Sequence, residues 1–208
     1  MKIGIIGSGN IGGTLTRRLQ ALGHQVTVGN SHGPETLAPL AAETGATAAT
    51  ARQAAESGDL VMIATPVRAV PDLPAEAMRG KVVIDANNYY PQRDGQIGPL
   101  VGKTATSSGW TAEHLPGATV VKAFNTIRAG HLLADGRPAG DPARIALPVA
   151  SDDANAKRTV MGLVEELGFD PIDGGGLDDS WRQQPGSPVY TTDLDAAGVR
   201  DGLASAQR

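Results

Sequence analysis

The 208-residue chain contains no cysteine, which excludes disulfides, thiolate catalysis and any Cys-based metal centre. Aromatic residues make up only 3% of it, so a core must be built from Val, Ile, Leu and Ala. A basic excess is missing too: the formal net charge is −4, and the 18 Lys and Arg residues are scattered rather than gathered in a stripe. Nucleic acid is therefore not an expected partner. The four histidines, His24, His32, His114 and His131, lack the spacing of metal ligands, and no metal is expected. No apolar run approaches the ~20 residues that cross a bilayer. The first strand pattern starts at Lys2, which leaves no room for a leader. These features predict a cytoplasmic protein with no membrane partner.

What the chain does have is glycine, 27 in all, and three of them fall in one place. Residues 3–12 read Ile-Gly-Ile-Ile-Gly-Ser-Gly-Asn-Ile-Gly, a buried-strand pattern that runs into Gly7-x-Gly9-x-x-Gly12. Each glycine answers a separate demand of dinucleotide binding. Gly7 permits the tight turn out of the strand, Gly9 lets backbone approach a pyrophosphate, and Gly12 lets the next helix pack on the sheet. The helix that follows presents free N–H groups and the positive end of its dipole to phosphate. Gly7, Ser8, Gly9, Asn10, Ile11 and Gly12 are thus the expected pyrophosphate site.

Downstream, strand and helix patterns alternate. Ile11, Leu15, Leu19 and Leu22 share one face of a helix that Gly23 ends. Strands are predicted at 25–28, 60–64, 81–85, 119–124, 145–149 and 169–172. Helices are predicted at 34–44 and 50–58, in part over 66–78, and after Asp152 or Asp153, with Val160, Leu163, Val164 and Leu167 inward. Leu60-Val61-Met62-Ile63-Ala64 is continuously apolar, as in a strand covered on both faces. The polar stretch 87–116 holds Thr104, Thr106, Ser107 and Ser108, any of which could cap a short helix. The fold class is α/β: a doubly wound, mostly parallel sheet over 1–175, with a short irregular extension over 176–208 acting as a lid or dimer arm.

In such a sheet, ligands lie beyond the carboxyl ends of the strands, where strand order reverses. Those ends carry Asn30, Ser31 and His32, then Thr65 and Pro66, then Asn87, then Asn125. An NAD site usually has Asp or Glu at the end of the second strand; Gly29-Asn30-Ser31-His32-Gly33 contains no acid and can donate hydrogen bonds to a 2′-phosphate. NADP(H) is therefore the expected cofactor. Thr65, Pro66, Asn87 and Asn125 are expected beside the nicotinamide.

Catalytic groups are less evident. There is no Ser/His/Asp constellation and no Tyr-x-x-x-Lys, and hydride transfer asks mainly for two rings held in a dry, oriented cleft. Asn125 and Lys122 are the catalytic candidates, with Lys122 alternatively in a structural ion pair. Trp181, Arg182 and Tyr190 could line a pocket for a planar small-molecule electron acceptor, or form a dimer contact.

Gly7 to Gly12, Gly29-Asn30-Ser31 with Gly33-Pro34-Glu35, Val121-Lys122-Ala123-Phe124-Asn125-Thr126 and Asp173-Gly174-Gly175 together resemble the NADP oxidoreductases dependent on coenzyme F-420, a deazaflavin. The resemblance spans residues 1–175. It implies a Rossmann groove holding NADP(H), hydride exchange with a deazaflavin (F-420) or flavin as second substrate, and a homodimer. The cytosolic domain of membrane ferric reductases is similar. His32 stands where that family often has arginine, and 178–185 replaces an apolar helix. An NADPH-dependent reductase of an imine, carbonyl or alkene metabolite, and a non-enzymatic NADP(H)-sensing module, remain open.

Overall fold

The computed structural model describes all 208 residues. It opens with β1 (Lys2–Ile6), α1 (Asn10–Ala21), β2 (Gln25–Asn30), α2 (Ala38–Thr44), β3 (Thr47–Thr50), α3 (Ala51–Ser57) and β4 (Leu60–Ile63). After α4 (Ala75–Met78) and β5 (Val82–Asp85) come the single turns α5 (Pro91–Asp94) and α6 (Gly98–Val101). The rest comprises α7 (Ser107–His114), β6 (Thr119–Lys122), α8 (Ala129–Ala134), β7 (Ala146–Val149), α9 (Ala154–Glu166), β8 (Asp170–Asp173) and α10 (Ala196–Ser205). Short 3₁₀ turns cover Pro34–Leu37, Val67–Asp72 and Leu177–Gln183.

Six strands form one parallel sheet in the order β3-β2-β1-β4-β5-β6, and β7 and β8 form a parallel pair beside it. The two sheets meet at one antiparallel bridge, where Lys122 and Ala150 exchange N–H···O bonds of 2.8 and 3.0 Å. This is the expected Rossmann architecture, built from the pattern anticipated for a doubly wound sheet. Strand side chains alternate between two cores, as a period of two requires. Leu60, Met62, Ile84 and Val121 join Leu15, Leu19, Val160 and Leu163 on one face. Val61, Ile63, Val83 and Val120 pack with Ala54, Ala55 and Met78 on the other. Each of the Val, Leu, Ile and Met side chains among them contributes about 1.5–3 kcal/mol on full burial.

The caps follow the sequence. Thr50 forms a reciprocal capping box with Gln53, Thr106 accepts from the Gly109 N–H, and Asp153 accepts from the N–H groups of Asn155 and Ala156. Gly23 is left-handed at φ 85°, which ends α1.

Several elements were not anticipated, among them the single turns α5 and α6 within the polar stretch 87–116. β3, Thr47-Ala48-Ala49-Thr50, is a short, alanine-rich edge strand whose existence depends on pairing with β2. α8 fills the stretch before β7, and Arg18 donates to the carbonyls of Leu132 and Leu133 at its C-terminal end. α10 lies where the sequence reads as irregular: Asp195 caps it, and Val199 and Leu203 pack with Ala146, Ile172 and Val189. The extension thus packs against β7 and β8 of its own chain. No helix is long and apolar enough to cross a membrane.

Candidate functional site

The turn after β1 is shaped by its glycines. Gly7 has φ 107°, and a Cβ there would strike the Ala64 carbonyl; a Cβ on Gly12 would strike the carbonyl of Gly7. At Gly9 a Cβ would meet nothing within 4 Å, so this glycine leaves open space above the turn. Gly9 begins α1 without a side-chain cap, and no acid sits in the first helical turn. The first helical bond runs from the Gly13 N–H to the Gly9 carbonyl at 2.8 Å, so the N–H groups of Asn10, Ile11 and Gly12 remain available.

At the end of β2, Asn30 is a brace. Its Nδ2 donates to Ser8 Oγ at 3.2 Å and Thr36 Oγ1 at 3.0 Å, and its Oδ1 accepts from the His32 N–H at 2.9 Å. Ser31 and His32 are exposed beyond it. The fold also brings up an acid that lies outside the five-residue segment: the Glu35 carboxylate folds back against Gly33.

The strand order reverses at β1, flanked by β2 on one side and β4 on the other. A cavity of about 410 Å³ opens there, beyond the ends of β1, β4, β5 and β6. Gly9, Asn10, Ile11, Thr65, Pro66, Asn87 and Asn125 all line it. Seven positions from four separated segments of sequence therefore share one crevice.

Its floor is held by a buried ion pair. Asp85 accepts from Ser108 Oγ at 2.7 Å and from the Asn87 N–H at 2.9 Å, while Lys122 Nζ lies 3.8 Å from Asp85 Oδ2 and donates to the Asn87 carbonyl. Both side chains are fully buried. Burial pushes the Lys122 ammonium below its usual range, and Asp85 offsets this only in part. Both backbone groups of Asn87 are thus fixed. Its side-chain Oδ1 accepts from the Thr65 N–H at 2.7 Å. That leaves Asn87 Nδ2 and Thr65 Oγ1 as buried polar atoms with no partner. Such atoms normally find one.

Asn125 follows Phe124, which adopts a left-handed φ of 61° at the end of β6. Its amide donates to Asn88 Oδ1 at 3.1 Å and to the Gln183 carbonyl at 2.6 Å, and its Oδ1 accepts from Gln183 Nε2 at 2.9 Å. It ties the crevice wall to the extension. Lys122 lies beneath the crevice, in the structural pair that was its alternative reading.

Of the three extension residues, only Tyr190 lines the crevice. The 3₁₀ turn sends Gln183 inward to Asn125, which leaves Trp181 on another surface, a separate cavity of about 580 Å³ shared with Tyr89 and Lys103. Arg182 stacks 5.5 Å from the Trp181 ring and pairs with Asp179 at 3.4 Å. Trp181 and Arg182 are therefore corrected as crevice residues. Tyr90 and Arg93 are crevice residues that sequence reasoning missed. Their only signal was position: they follow the β5 end that also carries Asn87. Asp94 anchors them, accepting from the Tyr90 N–H at 3.0 Å and from Arg93 at 2.9 Å. Burial would raise its carboxyl, but Arg93 and the backbone donors outweigh that and hold it below the usual range.

The chain is similar in sequence and fold to several known proteins. Residues 2–89 match the model of the NADP oxidoreductase, coenzyme F-420-dependent, family. The hypothetical protein SMa0349 of Sinorhizobium meliloti is 32% identical, with a TM-score of 0.80 over 93% of this chain and 94% of that one. A protein of Arthrobacter sp. FB24, provisionally named an F-420-dependent NADP reductase, is 29% identical with a TM-score of 0.76, over 88% of this chain and 87% of that one. Metalloreductase STEAP3 of Rattus norvegicus is 32% identical over 178 residues, 85% of this chain and 34% of that protein. The chain spans less than half the length of the curated relatives it matches, 44% and 34%.

Proposed function

We propose that the chain, whose residues 2–89 match the model of NADP oxidoreductases dependent on coenzyme F-420, belongs to that family and transfers hydride between NADP(H) and a flat, conjugated acceptor of the deazaflavin or flavin type. The observation that carries this reading is the pair of unpartnered buried atoms, Thr65 Oγ1 and Asn87 Nδ2, beside the crevice at the strand-order reversal. A carboxamide offers both a donor and an acceptor, so the nicotinamide carboxamide suits this pair. When bound, NADPH supplies the hydride.

The roles of the residues follow from their places. The N–H groups of Asn10, Ile11 and Gly12 hold the pyrophosphate at the α1 N-terminus, where the helix dipole favours negative charge. Ser31 and His32 receive the 2′-phosphate, with Asn30 bracing the loop and Glu35 limiting the preference. Asp85 and Lys122 position Asn87, and Asn125 positions the wall. Pro66 and Phe124 exclude water from the ring. The second substrate is a small-molecule electron acceptor, and a homodimer in the cytoplasm is the expected form.

The direct test is calorimetry with NADPH and NADP⁺, followed by stopped-flow NADPH absorbance against a 5-deazaflavin, FMN, a quinone and a cyclic imine. Binding with rapid oxidation by the deazaflavin or FMN supports the proposal. No heat with either nucleotide would overturn it; tight binding with no turnover would favour a sensing module. One observation favours reduction of a small imine or carbonyl as a second reading: phenol hydroxyls border the crevice, and such a reduction needs a proton donor.

A further inference from the structure

The crevice has a polar wall that the hydride reading does not use. Tyr90 and Tyr190, 100 residues apart in sequence, hydrogen-bond to each other through their hydroxyls, and both line the crevice. Two hydroxyls bonded to each other commit one O–H proton and leave the second free. Neither has another protein partner among the hydrogen bonds of the structure, whereas Tyr89, their neighbour, donates its hydroxyl to the Gly95 carbonyl at 2.7 Å.

The arrangement is held from both sides. Tyr190 sits in a turn pinned by the Thr191 N–H, which donates to the Thr126 carbonyl at 2.8 Å, one residue beyond Asn125. Its neighbour Val189 is buried against α10. On the other side the Arg93 guanidinium lies 5.0 Å from the Tyr90 ring centroid and donates to the Asn88 carbonyl at 2.6 Å. Arg93 is 41% exposed and paired with the buried Asp94 carboxylate at 2.9 Å, so the tyrosines have a fixed guanidinium and solvent at their outer edge.

We propose that the Tyr90–Tyr190 hydroxyl pair, backed by Arg93, gives a proton to the acceptor's heteroatom as hydride arrives at the atom conjugated to it. The substrate class follows: an acceptor in which the hydride-receiving carbon or nitrogen belongs to, or is conjugated with, a C=O or C=N group. Deazaflavins, flavins and cyclic imines share that chemistry. In balance, two electrons and one hydrogen nucleus reach the acceptor from NADPH, which leaves as NADP⁺. One tyrosine O–H bond breaks as an O–H or N–H bond forms on the acceptor. The resulting phenolate regains its proton from water through the second hydroxyl, and Arg93 stabilises the transient negative charge. Burial and the Tyr90 hydroxyl push the Tyr190 phenol upward from its ordinary range, with Arg93 opposing, so it rests protonated at neutral pH, and its proton leaves only as arriving hydride raises the basicity of the acceptor's heteroatom.

This inference rests on the NADP(H) reading, and the test separates the two. Wild type, Tyr90→Phe, Tyr190→Phe, the double variant and Arg93→Gln are compared for NADPH affinity by calorimetry and for turnover of a 5-deazaflavin, FMN and a cyclic imine. General acid catalysis contributes roughly 10²–10⁴-fold, so the variant that loses the donor should drop kcat by about 100-fold, and its partner by less. The double variant should be no slower than the worse single one, because the two hydroxyls act as a unit. NADPH affinity should stay within about twofold, since neither hydroxyl is assigned to the cofactor. Small buffer acids should restore part of the rate in the Phe variants and none in wild type, which a structural role would not produce. Arg93→Gln should weaken quenching of deazaflavin or FMN fluorescence on addition to the NADP⁺-loaded protein. Phe variants with kcat within twofold of wild type, or losses that buffer acids do not repair, would overturn the proposal. A wild-type protein that binds no NADPH would instead sink the reading beneath it.

Discussion

The two ends of the crevice are made differently. The phosphate end lies within residues 7–36 and is built largely of backbone: three glycines, the free N–H groups of α1, and a loop braced by Asn30. The acceptor end draws on 64–66, 85–94, 122–127 and 183–190, and it is built of side chains: Asp85 with Lys122, Asn125 with Gln183, Tyr90 with Tyr190. A backbone site needs only small residues at fixed spacing. A side-chain site needs every partner in place. The first should therefore tolerate change wherever a Cβ has room, whereas the second should fail as a unit.

The sharpest test of that difference is Lys122→Met. It leaves Asp85 buried without its counter-charge, and breaking such a pair from one side costs about 3–5 kcal/mol. For a chain of this length each kcal/mol lowers the melting temperature by roughly 2–4 °C, so a fall of about 6–20 °C is expected by calorimetric melting. Asp85→Leu combined with Lys122→Met should recover much of it, because no lone charge then remains. A single variant that melts with wild type would show that the acceptor end does not depend on the pair.

Next in size is a contrast inside the phosphate end. Gly12→Ala drives a methyl group into the Gly7 carbonyl, and overpacking of this kind costs about 1–3 kcal/mol. Gly9→Ala meets nothing in the protein. It should melt as wild type does yet bind NADPH about tenfold more weakly, roughly 1.4 kcal/mol, because the methyl occupies space assigned to pyrophosphate. Equal loss of stability in both variants would break the assignment of Gly9.

His32→Asp is expected to be milder. It puts a carboxylate at the end of β2, beside Glu35, and should raise the NADPH dissociation constant relative to that of NADH by about fivefold. Titration of both nucleotides by fluorescence reads the ratio directly. An unmoved ratio would mean that the 2′-phosphate lies elsewhere.

The contrast also explains what could be read from the sequence. The glycine turn, the alternating strands and the caps at Thr50 and Asp153 are local, so spacing along the chain reveals them. β3 is not local: the two alanines of Thr47-Ala48-Ala49-Thr50 weaken its strand preference, and its extended form comes from pairing with β2. α10 contains Gly198 and Gly202, which oppose a helix, and burial of Val199 and Leu203 decides it. Tyr90 and Tyr190 meet across 100 residues, a contact no motif encodes. Trp181 and Arg182 drew attention by residue type, but the period of the 3₁₀ turn gives the inward place to Gln183.

The smallest expected effect follows from that last point. Trp181 lies outside the crevice, among Tyr89, Lys103 and Gln184, with the guanidinium groups of Arg182 and Arg208 at 5.5 and 6.0 Å from its ring. Trp181→Ala removes those cation–π contacts, worth about 0.5–1 kcal/mol each at exposed sites, so the melting temperature should fall by a few degrees. The crevice itself is untouched, because Asn125 holds the extension through Gln183 rather than through the tryptophan. The acceptor KM and the NADPH affinity should therefore stay within twofold of wild type, whereas Tyr190→Phe, nine residues away, changes kcat. A large rise in acceptor KM from Trp181→Ala would show that the acceptor reaches across the extension into the second cavity. The acceptor end would then be larger than the 410 Å³ crevice that the four strand ends enclose.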